Sequence, residues 1–223
     1  MAVVFGFKTV SNQNPGASTQ TLSVQCTAGT DAGLFVVVTM SNSVNFVSAT
    51  YDGVAMQLIG NRSYGSLSIR QVGFYLANPT TGSAKNFVVN FTAAQWQSTS
   101  IIAQSFTGVT QSALTNEAST GLLATNNSQS ITINADDIIY ISGGSTQGMA
   151  WPYVIAGISE PLDLNQHNVS GKIVGGAFSV TGLSAGATNI QTRSNSGTIT
   201  NHRWAIGASG GGGGGGSRRI IIV

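Results

Sequence analysis

Charged side chains are scarce in this chain of 223 residues: Asp, Glu, Lys and Arg make up only 7% of it, against about a quarter in typical soluble domains. Ser, Thr, Asn, Gln and Gly are abundant instead, and 41% of the residues are hydrophobic. This composition is neither that of a disordered chain nor that of an ordinary enzyme surface. Because so few charges keep copies apart, close packing against neighbours carries a small electrostatic penalty.

Acidic residues are missing from the last quarter of the chain. All seven acids lie between Asp31 and Asp163, the first 163 residues hold four of the nine cations, and the other five cations follow Asp163. Opposite net charge in the two parts would register head-to-tail contacts between subunits, and random scatter among few charges is the alternative. The late cations form no clustered basic stripe, so we expect no nucleic-acid partner.

Cysteine occurs once, at Cys26. A single cysteine excludes an intrachain disulfide and a cysteine-based zinc site. Its surroundings, LSVQCTA, alternate between apolar and polar residues as a half-buried strand does, which predicts a buried and inert thiol.

Long apolar runs are also absent. The longest, such as GLFVVV and AVVFGF, are far below the roughly 18 residues that a membrane span requires, so we expect no membrane partner. The first residues, MAVVFGFKTV, lack the basic region and the long apolar core of a signal peptide. We therefore expect the protein to be made and folded in a cytoplasm.

Helical periodicity over ten or more residues is not found, although residues 112–126 have room for one short helical turn. β-branched and aromatic runs that alternate at period two, fenced by Gly, Asn, Asp, Ser or Pro, predict strands. About a dozen short strands at regular spacing predict an all-β sandwich or jelly roll. The runs cover residues 2–10, 21–28, 33–40, 45–51, 54–60, 66–77, 86–92, 99–106, 130–134, 137–144, 153–159, 172–180, 189–193 and 202–208.

Two turns have clear sequence signals. Asp52-Gly53 lies between two alternating runs and predicts a two-residue type I′ hairpin turn, in which both central residues need positive φ. The stretch ANPTTGS, residues 77–83, predicts a second turn, in which Pro79 fixes φ after an extended Asn78.

These signals predict one two-sheet antiparallel β-sandwich domain, jelly-roll-like, over residues 1–209. Within it, residues 1–30 form either an N-terminal arm or edge strands. Residues 210–217, seven glycines and a serine, predict a flexible tether. Residues 218–223 then predict a C-terminal strand, so that the sandwich carries an extended C-terminal arm.

Four short motifs resemble a loose group of β-sandwich proteins that is widespread in bacteriophage genomes and environmental sequences. They are VSATYDGVAMQLIG (47–60), SIRQVGFYLANPTTGS (68–83), SFTGV (105–109) and RWAIGAS (203–209). The resemblance covers roughly residues 33–209 and implies a jelly-roll-like sandwich of virions and extracellular adhesive proteins, without catalytic residues. The glycine run and RRIIIV are additions to the pattern of that group.

No catalytic signature withstands examination. Ser184 and Ser209 each stand in a G-x-S-x-G match, but a nucleophile elbow needs a following helix, and Ser184 has no acid after it. The spacing of Asp163 and His167, or of the adjacent Asp136 and Asp137, fits no established set of metal ligands. We expect a protein that is not an enzyme, with no metal and no cofactor.

Sugar binding has somewhat better support. Trp96, Trp151, Tyr64 and Tyr153 are expected on exposed loops, where aromatic rings can stack on sugars. MAWPY, residues 149–153, is the best candidate platform, through Trp151 and Tyr153. Alternatively, Trp151 plugs one end of the sandwich. Trp204 is part of RWAIGA, a strand in which apolar and polar residues alternate, and is predicted to lie in the core.

The C-terminal hexapeptide is the predicted subunit interface. A terminal strand can add to an exposed sheet edge of a neighbour, and glycines let it reach there. Alternation would place Ile220 and Ile222 on one face, and Ile221 and Val223 on the other, while Arg218 and Arg219 would pair with carboxylates. A strand within the protein's own sheet is the alternative.

Two functions therefore remain open. One is a non-enzymatic structural protein of the bacteriophage virion, such as a capsid, cement, decoration or tail component, which packs against copies of itself or other virion proteins. The other is a receptor- or glycan-binding module of a phage tail fibre or adhesin, whose partner is a host surface glycan.

Overall fold

A computed structural model describes residues 3–13, 16–65, 68–95, 99–112, 126–133, 138–145, 153–155, 174–180, 186–193 and 200–209. Between residues 126 and 205 it describes the course of the strands and not their side chains. All strand ladders in these ranges are antiparallel. The predicted all-β class and two-sheet antiparallel sandwich are confirmed.

The first half of the chain forms the sandwich. Sheet I has the order β1-β9-β3-β7-β6, and sheet II has the order β2-β8-β4-β5. The strands of sheet I are β1 (Val4–Gln13), β3 (Gly33–Ser41), β6 (Gln57–Tyr64), β7 (Ile69–Ala77) and β9 (Thr99–Thr107); those of sheet II are β2 (Thr19–Val24), β4 (Phe46–Tyr51), β5 (Val54–Ala55) and β8 (Lys85–Phe91).

Two three-stranded sheets follow. Sheet III has the order β13-β11-β15, and sheet IV has the order β10-β14-β12. Their strands are β10 (Asn126–Ile133), β11 (Ile138–Ser145), β12 (Tyr153–Ile155), β13 (Val174–Val180), β14 (Gly186–Arg193) and β15 (Thr200–Ile206).

The main core lies between sheets I and II. Sheet I contributes Val36, Val38 and Phe74, and sheet II contributes Phe87 and Val89, all at most 1% exposed. In β2 the burial alternates strictly, with Leu22 and Val24 inside and Thr21 and Ser23 outside, as period two requires. The same alternation places Cys26 inside with no exposed surface, which confirms the buried thiol.

Sheet I also buries its other face, forming a second core. Phe35, Val37 and Phe106 on that face are at most 1% exposed and pack with Ile206 at the end of β15. Strand β13 of sheet III contacts β9 and β3, and β11 contacts β7. Sheet III is therefore a third layer, and it explains why all nine residues of β3 are buried although one-sided burial would leave alternate residues exposed.

The Asp52-Gly53 hairpin is confirmed. Both residues have positive φ, 50° and 78°, and Tyr51 pairs with Val54 across the turn. The expected continuous strand 54–60 divides at Met56, however: β5 belongs to sheet II and β6 to sheet I. Met56 donates its N–H to Ala49 O at 3.0 Å and marks the point where the chain changes sheet.

The second turn corrects one expectation. Asn78 is not extended before Pro79 but has a φ of 49°. Its N–H donates to Ala32 O at 3.0 Å, and asparagine tolerates the left-handed region better than most residues. This tertiary hydrogen bond therefore prevails over the preference for extended backbone before proline.

Candidate functional site at the edge of the first sheet

The edge of sheet I formed by β1 exposes a cluster of large apolar side chains. Val4, Phe5 and Phe7 are 58%, 40% and 48% exposed, and we call them the β1 edge patch. Among the residues that the structure describes, β1 has one partner strand, β9. An apolar strand at the edge of a sheet is a template for pairing with another chain.

A β-bulge shapes this edge. The register of β1 on β9 shifts between Phe5 and Lys8, so that two residues of β1 oppose one of β9. Polar side chains bind the displaced backbone: Gln104 Nε2 donates to Gly6 O at 3.1 Å, and Ser105 Oγ donates to Phe7 O at 3.1 Å. The bulge is therefore fixed by the neighbouring strand rather than left loose.

Thr27, just beyond β2, completes this set of hydrogen bonds. We call the side chains of Thr27, Gln104 and Ser105 that bind the backbone of Gly6 and Phe7 the latch. The Phe7 N–H donates to Thr27 Oγ1 at 3.1 Å, and Thr27 Oγ1 lies 3.4 Å from Ser105 Oγ. A Cβ at Gly6 would meet Thr27 Oγ1 and Ser105 Oγ far inside van der Waals contact. Glycine is thus required at position 6, because the latch occupies the space of a side chain.

Phe5 connects the β1 edge patch to the second core. Its ring lies 5.6 Å from that of Phe106, tilted by 53°, which is a favourable aromatic geometry. Phe106 is fully buried. The patch is therefore held on a rigid base rather than on a mobile loop.

The other edges of sheets I and II are less apolar. On β6, Leu58 is exposed, but Asn61, Arg62 and Ser63 follow as exposed polar residues. On β2 the exposed residues are polar, and β5 has only two residues. Of the six exposed large apolar side chains in the described ranges, three belong to the β1 edge patch.

The end of β9 carries the last described segment of the chain. Val109 forms an isolated antiparallel bridge with Ala208, in which Ser209 N–H donates to Gly108 O at 2.7 Å and Thr110 N–H to Gly207 O at 2.8 Å. Two motifs of the resemblance, SFTGV and RWAIGAS, thus bind each other directly. Ser209 therefore lies at the end of sheet I where β1 begins.

The predicted interface residues, Arg218, Arg219, Ile220, Ile221, Ile222 and Val223, lie outside the described residues. Trp151 does as well, and Tyr153 begins β12 opposite Thr192 with its side chain outside the description. Those assignments stay predictions. Trp96, the side chain of Trp204, Asp136, Asp137, Asp163, His167 and Ser184 are likewise not described.

Tyr64 was expected as a sugar contact on an exposed loop, and that expectation is wrong. It ends β6 and is 4% exposed, because strand alternation turns its ring inward.

A shallow depression of about 410 Å³ beside the Asp52-Gly53 turn is lined by Thr50, Lys85 and Val88 among others, without an aromatic ring.

Polar chemistry in the described ranges is sparse. No three His, Cys, Asp or Glu side chains come together there as a metal site would require. Asp52 and Lys85 form a half-exposed ion pair at 3.8 Å, and burial raises the pKa of the Cys26 thiol, although a hydrogen bond with Tyr51 opposes this. A protonated, inaccessible thiol is a poor nucleophile.

The β1 edge patch was not found by sequence reasoning. The stretch AVVFGFKTV predicts a strand, and residues 1–30 were expected to form an arm or edge strands, but no exposed apolar cluster was predicted there. One signal was available: Val3, Val4 and Phe5 are consecutive apolar residues, more than one face of a strand can bury.

No protein-family model, curated protein or solved structure matches this chain. Within the described ranges, no helix has the length and apolarity that crossing a bilayer requires.

Proposed function

We propose that this chain is a non-enzymatic structural protein of a bacteriophage particle, a capsid, cement, decoration or tail component. It works by packing against copies of itself or other proteins of the particle, and its C-terminal arm, residues 218–223, contacts a neighbour. The observation that carries the packing role is the β1 edge patch, with its three exposed apolar side chains beside an edge that has one described partner.

The outer face of sheet II supports packing as well. Thr19, Thr21 and Ser23 of β2 and Asn86 of β8 are exposed, and Thr19 Oγ1 donates to Asn90 Oδ1 at 2.7 Å. Such a face brings no net charge to an interface, so the repulsion that keeps charged monomers apart is small. The assignment to a phage particle is supported by the four sequence motifs.

Particle or oligomer mass, measured by light scattering, tests the proposal. We expect the wild-type protein to assemble and a variant lacking residues 210–223 to fold but remain monomeric. Circular dichroism and a cooperative unfolding transition establish that the truncated sandwich is intact. A wild-type protein that stays monomeric at all concentrations, or a truncated one that assembles normally, contradicts the proposal.

The receptor-binding alternative is tested in parallel on a glycan array. Its sequence support lies in Trp151 and Tyr153, so binding that Trp151→Ala abolishes in an otherwise stable monomer would favour it. Absence of glycan binding together with assembly favours the structural role.

A further inference from the structure

We propose that the edge of β1 that has no partner strand among the described residues is the acceptor for residues 218–223 of a second copy, which add to sheet I as a sixth, antiparallel strand. This inference rests on the proposed function and deepens it by naming the receiving surface. The added strand would cover the β1 edge patch and extend the sheet β1-β9-β3-β7-β6 by β-strand addition.

The chemistry of the two partners matches. The incoming segment RRIIIV is rich in β-branched residues, which favour strands, and its apolar residues would contact Val4, Phe5 and Phe7. On β6, the opposite edge of the same sheet, the exposed Leu58 is followed by three exposed polar residues, Asn61, Arg62 and Ser63. The apolar tail is therefore better accommodated on β1.

Direction indicates which copy supplies the strand. β1 and residues 207–209 both run antiparallel to β9 and its continuation, so chain leaving Ser209 travels in the same direction as β1. Unless the tether reverses the chain, the tail would run parallel to its own β1. Every described ladder is antiparallel, and parallel pairing is slightly less stable per residue.

The tether length favours a neighbour for a second reason. Thr107 pairs with Val4 and lies next to Gly108, whose carbonyl binds Ser209, so Ser209 is only one or two strand spacings from β1, about 5–10 Å. Eight residues, 210–217, span up to about 27 Å when extended. That length exceeds what the protein's own edge requires and is enough to reach the edge of an adjacent copy, since a tether works best when its reach matches the span.

Matched lysine substitutions test the acceptor. Val4→Lys places a charge in the β1 edge patch, and Val47→Lys makes the same change at an equally exposed valine of sheet II, 59% against 58%. We expect Val4→Lys to weaken association by at least about tenfold, because an ammonium group would be buried without a partner, while Val47→Lys stays near wild type. Equal effects of the two substitutions would overturn the proposal.

Disulfide capture tests the source of the strand. A chain with Val4→Cys is mixed with a mass-labelled chain carrying Ile221→Cys or Ile222→Cys, one for each face of the tail. The native Cys26 is buried, so the parent chain serves as the unreactive background. We expect a disulfide between the two chains, and none when Val47→Cys replaces Val4→Cys.

The outcomes separate the two proposals. If deletion of residues 210–223 abolishes assembly but no crosslink to Val4→Cys forms, the arm binds elsewhere: the acceptor is wrong and the proposed function stands. A single chain that carries both cysteines is a further control at high dilution. If the disulfide forms within this chain and none forms between chains, the strand does not come from a second copy, and the proposal is overturned. A wild-type protein that never assembles overturns both proposals.

Discussion

Gly6→Ala is the most direct test of the latch that shapes the β1 edge. The added methyl would meet three atoms, Thr27 Oγ1, Thr27 Cβ and Ser105 Oγ, all closer than real Cβ atoms approach any neighbour. Thr27 and Ser105 cannot withdraw freely, because their hydroxyls bind the Phe7 N–H and the Phe7 carbonyl. Either the bulge moves or these hydrogen bonds break.

The cost can be worked from its parts. Replacing glycine by alanine in a strand interior gains about 0.5–1 kcal/mol where there is room. Overpacking costs about 1–3 kcal/mol, and each lost hydrogen bond of the latch costs about 1 kcal/mol more. We expect a net loss of about 2 kcal/mol in the free energy of unfolding, measured by urea denaturation at constant slope.

Two controls make the result interpretable. Gly65→Ala adds a methyl where, apart from its chain neighbours, no atom of the described residues lies within 4 Å, so it should cost nothing. The double variant Thr27→Gly/Ser105→Ala removes all three obstructing atoms. In that background, Gly6→Ala should lower the free energy of unfolding by less than about 0.5 kcal/mol, because the effects of residues in contact are not additive. If Gly6→Ala costs the same in both backgrounds, steric conflict with the latch is not its cause.

Three further predictions follow from burial. Burial raises the pKa of both Tyr51 and Tyr75; their contribution to stability is therefore full below the unfolded pKa of about 10 and falls as pH rises above it, because the unfolded state ionises first. Alkaline unfolding scans should show this loss, and Phe at both positions should reduce it. Phe106→Ala should cost about 3–5 kcal/mol, because its ring is fully buried in the second core, whereas Phe7→Ala, at 48% exposure, should cost under about 1 kcal/mol in the unassembled protein; equal losses in urea unfolding would contradict the layered core. The Cys26 thiol, with no exposed surface, should react with a disulfide reagent only as fast as the protein unfolds, and a stoichiometric reaction in native buffer within seconds would contradict its burial.

Local sequence signals predicted much of the sandwich. Asp52-Gly53 specified its hairpin because positive φ at both central residues is a backbone requirement that few residue pairs meet. The alternation around Cys26 identified the buried face of β2 because strand periodicity is local. Such features depend on neighbours in sequence.

Features set by distant partners were not predictable in the same way. The divided strand at Met56 depends on which sheet receives each half, and Asn78 takes a positive φ because Ala32 offers a carbonyl. The third layer over sheet I was also missed, although the continuous apolar run of β3 was a signal that both of its faces are covered. The exposure of the β1 edge patch depends on the place of β1 at the end of the strand order of sheet I, which is set by pairing with the distant strand β9.

The position of Ile206 against Phe106 has a consequence during synthesis. The two residues are buried in the same core but lie about 100 positions apart, and ribosomes add about 5–20 residues each second. For several seconds to tens of seconds, the outer face of sheet I therefore exists without the layer that covers it. Until Ile206 is made, Phe35, Val37 and Phe106 lack this part of their cover, so chaperones or sister chains can reach the face before residue 209 has been added.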